Sequence, residues 1–285
     1  MPYHQEAEPA TSEVDTGLTG LPTGIPQLDV LTGGLHSGEL ALLASRPSIG
    51  KTSLALNITD YLAVDARRPA LYVGLGTSRV EIARRLMCTR GEIPHTALQQ
   101  RTLPSDVAVR LTQAGSGLRN APLYLDDRHV RTANEIGTIA QCLNDRLCPA
   151  GGLGLVVVDH LSRVEAEYAG QTESEHLIDV AYTLREMAIQ MNVAVLGLMQ
   201  LTCRPPAGQQ SQPALTELRG TQYAADLVML LHRPDASLAP CEPQKTAVDS
   251  TAELSVLRRG DCLAETVELL WNSQYTRFSD ATVRR

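Results

Sequence analysis

Short apolar runs alternate with longer amphipathic segments from Gly17 onward. Apolar runs without an alternating polar face are typical of strands that are buried on both faces of a parallel sheet. The sequence predicts such strands at residues 40–44, 70–75, 153–158 and 193–198. Strands that alternate with amphipathic segments indicate an α/β fold, with a mostly parallel central sheet and helices on both faces.

The amphipathic segments predict helices at residues 51–64, 78–90, 132–146 and 175–191. Ser78 with Glu81, and Thr132 with Glu135, have the S/T-x-x-E spacing of a capping box at a helix start. Further along the chain, residues 227–231 are apolar, and residues 253–257, 265–271 and 275–278 form three β-like runs. We expect these three runs to build an antiparallel C-terminal edge on the sheet.

The chain is expected to form one large domain with short tails. Its length of 285 residues and its hydrophobic content of 43% are sufficient for a full core. Residues 1–16 are acidic and poor in large apolar side chains, which predicts a disordered tail; residues 17–280 form the domain and residues 281–285 a second short tail. With neither a bilayer-spanning apolar run nor the pattern of a signal peptide, we expect a cytosolic protein.

Charge and cysteine spacing narrow the chemistry. The formal net charge of -7 argues against a broadly basic surface, although a channel lined by a few arginines can still hold nucleic acid. The six cysteines do not form the CxxC pairs of a zinc or thioredoxin-like site, which favours free thiols in a reducing compartment.

A candidate phosphate-binding loop follows the first predicted strand. Its sequence SRPSIGKT precedes a predicted helix, which is the context that a P-loop requires, although the consensus has glycine where Ser45 stands. The loop amides and the helix N-terminus are expected to face the phosphates, with Lys51 at the β and γ phosphates and the Thr52 hydroxyl on Mg²⁺. The predicted nucleotide-binding residues are Ser45, Arg46, Pro47, Ser48, Ile49, Gly50, Lys51 and Thr52.

A P-loop also needs an acidic residue at the end of a neighbouring strand to help to hold Mg²⁺. Asp159 ends the run VVVD and is the predicted second metal residue. We assign no role to His160, because a histidine at a strand end is more often packed or solvated than a ligand.

The segment from Thr16 to Phe278 resembles the C-terminal motor domain of DnaB-type replicative DNA helicases, which has a RecA-like P-loop ATPase fold. The resemblance is most specific in the segment SRPSIGKTSLALNI. It continues, in the same order along the chain, through APLYLDD, LGLVVVDHLSRV, TLREMAIQMNVAVLGLMQL, ALTELRGTQYAADLVMLLHR and QYTRF. The resemblance implies ATP and Mg²⁺ as cofactors and a hexameric ring that encircles single-stranded DNA. In that family, ATP hydrolysis between subunits drives the ring along the strand in the 5' to 3' direction during replication.

The resemblance also implies roles for single residues. Gln200 matches the glutamine that senses the γ-phosphate, and we expect a catalytic role for it beside Lys51; a plain polar residue at a strand end is the alternative. Residues 165–174 and 202–212 correspond to the channel loops, in which Arg204 is the one basic residue and the DNA-binding candidate.

The sequence departs from the family at two sites that serve hydrolysis. Gly76 stands where the family has the glutamate that polarises the attacking water, and losing such a group typically costs about 10² to 10⁴ in rate. In the family's Lys-x-Arg segment, which reaches the neighbouring subunit, Arg258 replaces the lysine and Gly260 the arginine finger. Arg259 can serve if the strand shifts by one residue, and a surface arginine is the alternative. The segment LRGTQYAAD is also shorter than in the family.

Two hypotheses follow for the function. The first is a stand-alone DnaB-like motor domain that binds Mg-ATP, forms a ring and acts on single-stranded DNA. The second is a catalytically silent nucleotide-binding module that regulates or joins another helicase ring; a recombination or clock-type relative fits the loop wording less well. Since only residues 1–16 precede the domain, we expect ring assembly to need DNA, nucleotide or a partner protein such as a helicase loader.

Overall fold

The computed structural model describes residues 17–99, 103–128, 131–201, 212–234, 249–258 and 264–282. Within these residues, nine strands form one sheet and six α-helices flank it. The strands are β1 (Leu40–Ser45), β2 (Ala70–Gly74), β3 (Leu123–Asp126), β4 (Leu155–Asp159), β5 (Ala194–Gln200), β6 (Leu227–His232), β7 (Asp249–Arg258), β8 (Glu265–Asn272) and β9 (Arg277–Asp280). The helices are α1 (Pro26–Thr32), α2 (Lys51–Asp60), α3 (Arg79–Gly91), α4 (Ser105–Arg119), α5 (Ala133–Leu147) and α6 (Glu173–Met191).

The sheet has the strand order β3-β2-β4-β5-β1-β6-β7-β8-β9. The first six strands in this order are parallel, and β7, β8 and β9 add to β6 as antiparallel neighbours. The predicted mostly parallel sheet with an antiparallel C-terminal edge is therefore confirmed. All the parallel strands end at one edge of the sheet, which we call the carboxyl edge.

Apolar cores lie on both faces of the sheet. In β1, Ala41 and Leu43 pack with α2 and α3 on one face, whereas Leu42 and Ala44 pack with α5 and α6 on the other. Every residue of β1 is buried, which explains why its sequence is apolar without alternation. The predicted covering of both faces by helices is confirmed.

The predicted strands and helices are all present, with ends that differ by a few residues, and the predicted helix at residues 51–64 continues beyond α2 as a π-helical turn over Tyr61–Asp65. Elements α1, α4 and β3 were not predicted. Helix α1 has 7 residues, fewer than the roughly 11 to 18 over which a helical period is recognised, and β3 has 4, the lower limit for a strand. Helix α4 is largely exposed and includes Gly115 and Gly117, which weaken a helical pattern.

The two predicted capping boxes have different outcomes. Thr132 and Glu135 form a complete box at the start of α5. At the start of α3, the Ser78 hydroxyl accepts from the Glu81 amide, but the Glu81 carboxylate forms ion pairs with Arg84 and Arg85 instead of returning to the cap. The box predicted there is half formed, because the arginines one turn further on compete for the carboxylate.

Candidate nucleotide-binding site

The loop between β1 and α2 lies at the carboxyl edge. Strand β1 is one of the inner strands, so the loop lies near the middle of this edge. Strand β1 ends at Ser45 and α2 begins at Lys51, as a strand-loop-helix P-loop requires. Gly50 adopts a φ of 118°, and a Cβ there would lie 2.9 Å from Cζ of Phe278. Both the backbone conformation and the contact with Phe278 require glycine at this position. The free amides of the first turn of α2 lie at the loop, where a helix N-terminus favours a phosphate.

Lys51 lies at the start of α2 and reaches the end of β5. Its Nζ donates to Oε1 of Gln200 at 3.3 Å, because β1 and β5 are parallel neighbours in which Ser45 pairs with Gln200. Lys51 is 8% exposed, and this burial lowers the pKa of its ammonium group, while the charge of Asp159 opposes the shift. A buried ammonium group is stabilised by a negatively charged partner. The position of Lys51 therefore fits the binding of the polyphosphate of a nucleotide.

Thr52 and Asp159 meet beside Lys51. The Thr52 hydroxyl lies 3.0 Å from Oδ2 and 3.3 Å from Oδ1 of Asp159, which ends β4. Carboxylate and hydroxyl oxygens are the hard ligands that Mg²⁺ prefers, so the residues present fit this ion. In the described part of the chain, no cluster of three or more His, Cys, Asp or Glu side chains could hold a metal ion by itself. This fits a metal that takes its other ligands from phosphates and water.

Tyr72 in β2 contacts the Asp159 carboxylate from the neighbouring strand. Its hydroxyl donates to Oδ2 of Asp159 at 2.8 Å, and the ring is fully buried. Burial, and next the charge of Asp159, raise the pKa of Tyr72 well above its ordinary value, so the hydroxyl keeps its proton and stays a donor. The sequence reasoning missed this residue. The signal available was a polar hydroxyl inside a predicted buried strand, which needs a partner.

Two buried arginines lie near the loop: Arg46, a predicted nucleotide-binding residue, and Arg233, which the sequence reasoning missed. Nη2 of Arg46 forms an ion pair with Oε1 of Glu217 at 3.1 Å, which ties the P-loop to the segment after β5. Arg233, which follows β6, donates to the Ile49 carbonyl at 3.4 Å, and its guanidinium lies 4.9 Å from the ring centroid of Trp271. Both contacts fix the loop in place from the β6 side of the site.

The end of β2 brings Gly76 to the carboxyl edge. Gly74 pairs with Asp159 in register, and the Leu75 amide donates to the Asp159 carbonyl at 2.8 Å. Gly76 therefore lies next to the Thr52 and Asp159 pair, where the resemblance expects the glutamate. His160 follows Asp159 and its ring lies 2.7 Å from the Ser162 hydroxyl. Burial, and then the charge of Lys51, lower the pKa of His160, so its ring is neutral near pH 7.

The remaining predicted site residues lie elsewhere. Arg258 pairs with Leu227 at the start of β6, which places it at the edge of the sheet opposite the P-loop. Its guanidinium donates to Oε1 of Glu39 at 3.3 Å and to the Thr32 carbonyl at 3.0 Å. Arg259 and Arg204 lie outside the described residues, as do Gly260, the predicted tail at residues 1–16 and all but the last residue of the predicted channel loop at 202–212.

The sheet order, the P-loop and the pair of Thr52 with Asp159 define a P-loop nucleotide-binding domain with a RecA-like fold. The model of the DnaB-like helicase C terminal domain family matches residues 20–280, and the chain belongs to this family.

Named relatives agree with this assignment. The chain is 29% identical over 274 residues to the replicative DNA helicase DnaB of Leifsonia xyli, and this match covers 95% of the chain and 58% of the relative. It is 28% identical over 268 residues to the replicative DNA helicase DnaB of Geobacillus stearothermophilus, covering 93% and 57%. The chain thus spans less than three fifths of the length of these relatives.

Solved structures share the fold. A DnaB-like replicative helicase, solved in a study of its interactions with primase, superposes with a TM-score of 0.80 at 24% identity and covers 92% of this chain and 63% of its own. A solved ATPase domain superposes with a TM-score of 0.81, also at 24% identity, covering 94% and 93%. No helix in the described ranges is long and apolar enough to cross a bilayer.

Proposed function

We propose that this domain binds Mg-ATP at the P-loop and couples ATP hydrolysis to 5' to 3' movement along single-stranded DNA during replication. The observation that carries the proposal is the convergence of Lys51 with Gln200 and of Thr52 with Asp159 at one edge of a DnaB-family domain. These four side chains come from α2, β4 and β5, and each of them has the chemistry that a triphosphate and its metal require.

Each side chain has a distinct part in this proposal. Lys51 holds the β and γ phosphates as a point charge, and the loop from Ser45 to Thr52 cradles them through its amides. Thr52 and Asp159 would hold Mg²⁺, which neutralises charge on the phosphates when it is bound. Gln200 contacts Lys51 in the present structure and is the proposed sensor, since a phosphate that binds Lys51 must change this contact.

The proposed partners are single-stranded DNA, further copies of the chain in a hexameric ring, and a loader or another replication protein. Arg204 remains the DNA-binding candidate, and Arg258 or Arg259 the residue that reaches the neighbouring site. The position of Arg258 at the edge opposite its own P-loop supports a contact with another subunit rather than with its own nucleotide. A cytosolic location also stays a prediction.

One observation favours the second hypothesis, a nucleotide-binding module that does not hydrolyse ATP. The position beside Asp159 where the family has a carboxylate is Gly76, and the side chain that lies over it is the positively charged Arg163. A cation cannot accept a proton from the attacking water, so ATP binding can persist here while hydrolysis is lost.

Steady-state ATP hydrolysis with and without single-stranded DNA separates the two hypotheses. For a motor we expect turnover that DNA stimulates and that Lys51→Ala lowers by about 10² to 10³, the usual cost of losing a charge that stabilises the transition state. Binding of ATP that Lys51→Ala abolishes, without any turnover, would instead establish the silent module. Lys51→Arg is the matched variant, because it keeps the charge but not the compact ammonium geometry.

A further inference from the structure

The side chain of Arg163 lies in the space that a side chain on Gly76 would occupy. A Cβ built on Gly76 would lie 3.0 Å from Cδ and Nε of Arg163 and 3.1 Å from Cζ. These distances are shorter than ordinary van der Waals contacts, so a side chain at position 76 would push against Arg163 and require it to shift. The two residues come from neighbouring strands, since Gly76 follows β2 and Arg163 ends the short 3₁₀ turn Leu161–Arg163 after β4.

The guanidinium of Arg163 has charge available for a ligand. The residue is exposed, and no carboxylate in the described part of the chain forms an ion pair with it. Its charge acts on His160 together with that of Lys51, and both charges favour the neutral imidazole. Both positive charges therefore act at the end of β4, where Asp159 lies.

Replacing a carboxylate by a guanidinium reverses the charge at this position. Where the family's glutamate would repel a phosphate and attract the proton of a water molecule, an arginine attracts a phosphate through a planar pair of N–H donors. The glycine at position 76 and the arginine at position 163 depend on each other, because a glutamate at position 76 would displace the Arg163 side chain and neutralise its charge.

We propose that Arg163 binds the terminal phosphate of the nucleotide and thereby makes this site prefer a nucleoside triphosphate over a diphosphate. The inference rests on the proposed binding of Mg-ATP at the P-loop. The end of β2 lies beside Asp159, which with Thr52 would hold Mg²⁺ against the phosphates. A hydrogen-bond donor at this position reaches the terminal phosphate of the nucleotide. The α and β phosphates are held by the P-loop amides.

The test compares the affinities of the full chain for a non-hydrolysable ATP analogue and for ADP, both with Mg²⁺, by calorimetry. For Arg163→Ala we expect the affinity for the ATP analogue to fall about tenfold or more, as for the loss of one charge-assisted contact, and the affinity for ADP to change less than about twofold. Arg163→Lys should restore part of the preference. Arg119→Ala is the matched control, because Arg119 is exposed at the end of α4, near the opposite edge of the sheet.

The outcomes separate this inference from the proposed function. Equal losses for the ATP analogue and ADP, or no loss for either, would overturn the role of Arg163 while leaving nucleotide binding intact. If the unaltered chain binds neither nucleotide, or if Lys51→Ala leaves binding unchanged, the proposed function itself fails and the inference fails with it.

Discussion

The carboxyl edge of the sheet has two parts that differ in how far they match the site chemistry that the resemblance implies. At the ends of β1, β4 and β5, the contacts of Lys51 with Gln200 and of Thr52 with Asp159 form the set expected of a nucleotide site. At the end of β2, one strand away from β4, Gly76 stands where the resemblance implies a carboxylate, and the positively charged Arg163 lies against it. The comparison teaches that groups that bind a nucleotide and groups that activate water sit on different strands, so one set can change while the other persists.

The largest expected effect comes from introducing the carboxylate that the resemblance implies at position 76, together with the room that it needs. In Gly76→Glu alone, the new side chain meets Arg163 and forms an ion pair with it, so we expect little gain in turnover. In Gly76→Glu with Arg163→Ala, the carboxylate is free to polarise water, and we expect the rate of ATP hydrolysis at saturating ATP to rise by about 10² to 10⁴.

The control for this prediction is Gly76→Gln with Arg163→Ala, which has the same shape but no base. A gain in this control would show that room, and not the carboxylate, limits the rate. If the rate of ATP hydrolysis rises as much in the single variant Gly76→Glu as in the double variant, Arg163 does not bind the new carboxylate. The proposed difference between the two strand ends would then be wrong.

A smaller effect is expected where the family chemistry is kept. Asp159→Asn retains an acceptor for Thr52 and Tyr72 but removes the charge that would hold Mg²⁺. We expect the gain in ATP affinity that Mg²⁺ provides to fall about 10-fold to 100-fold, the range for losing a charge-assisted contact. The measurement is ATP binding with and without Mg²⁺.

Asp126→Asn is the matched control for this prediction, because Asp126 ends β3 at the same edge but pairs with Arg131. A similar loss in both variants would mean that Asp159 acts through the overall charge of the edge and does not hold the ion.

The sequence predicted the part of the carboxyl edge around Lys51, Thr52 and Asp159 better than the part around Gly76. Lys51, Thr52 and Asp159 follow from local patterns, since a loop between a strand and a helix and an acid at a strand end can each be found in one segment. The contact of Arg163 with Gly76 joins two segments that meet only when β2 and β4 pair. The resemblance implies a glutamate at position 76 but does not reveal which side chain lies there instead. Tyr72 was missed for the same reason, because its partner lies 87 residues further along the chain.

The hydrogen bond from Tyr72 to Asp159 should have a moderate effect on stability. Tyr72→Phe keeps the buried ring but removes a donor to a charged group, and we expect the free energy of unfolding to fall by about 1.5 to 3 kcal/mol. Chemical denaturation measures this change. Tyr124→Phe in β3, where the ring is half-buried, is the control and should shift the free energy of unfolding by less than about 0.5 kcal/mol. Equal effects of the two variants would show that Tyr72 stabilises the sheet through its ring alone.

The smallest effect is expected at the opposite edge of the sheet, where Arg258 is bound to its own chain. Its side chain is 31% exposed and that of Glu39 is 30% exposed, so their ion pair should contribute less than about 1 kcal/mol to the free energy of unfolding. A double-mutant cycle with Arg258→Ala and Glu39→Ala, read by chemical denaturation, gives the coupling directly. A coupling this weak lets the arginine leave Glu39 and reach a neighbouring subunit at little cost. A coupling above about 2 kcal/mol would hold Arg258 in its own chain and would leave Arg259 as the candidate for the neighbouring site.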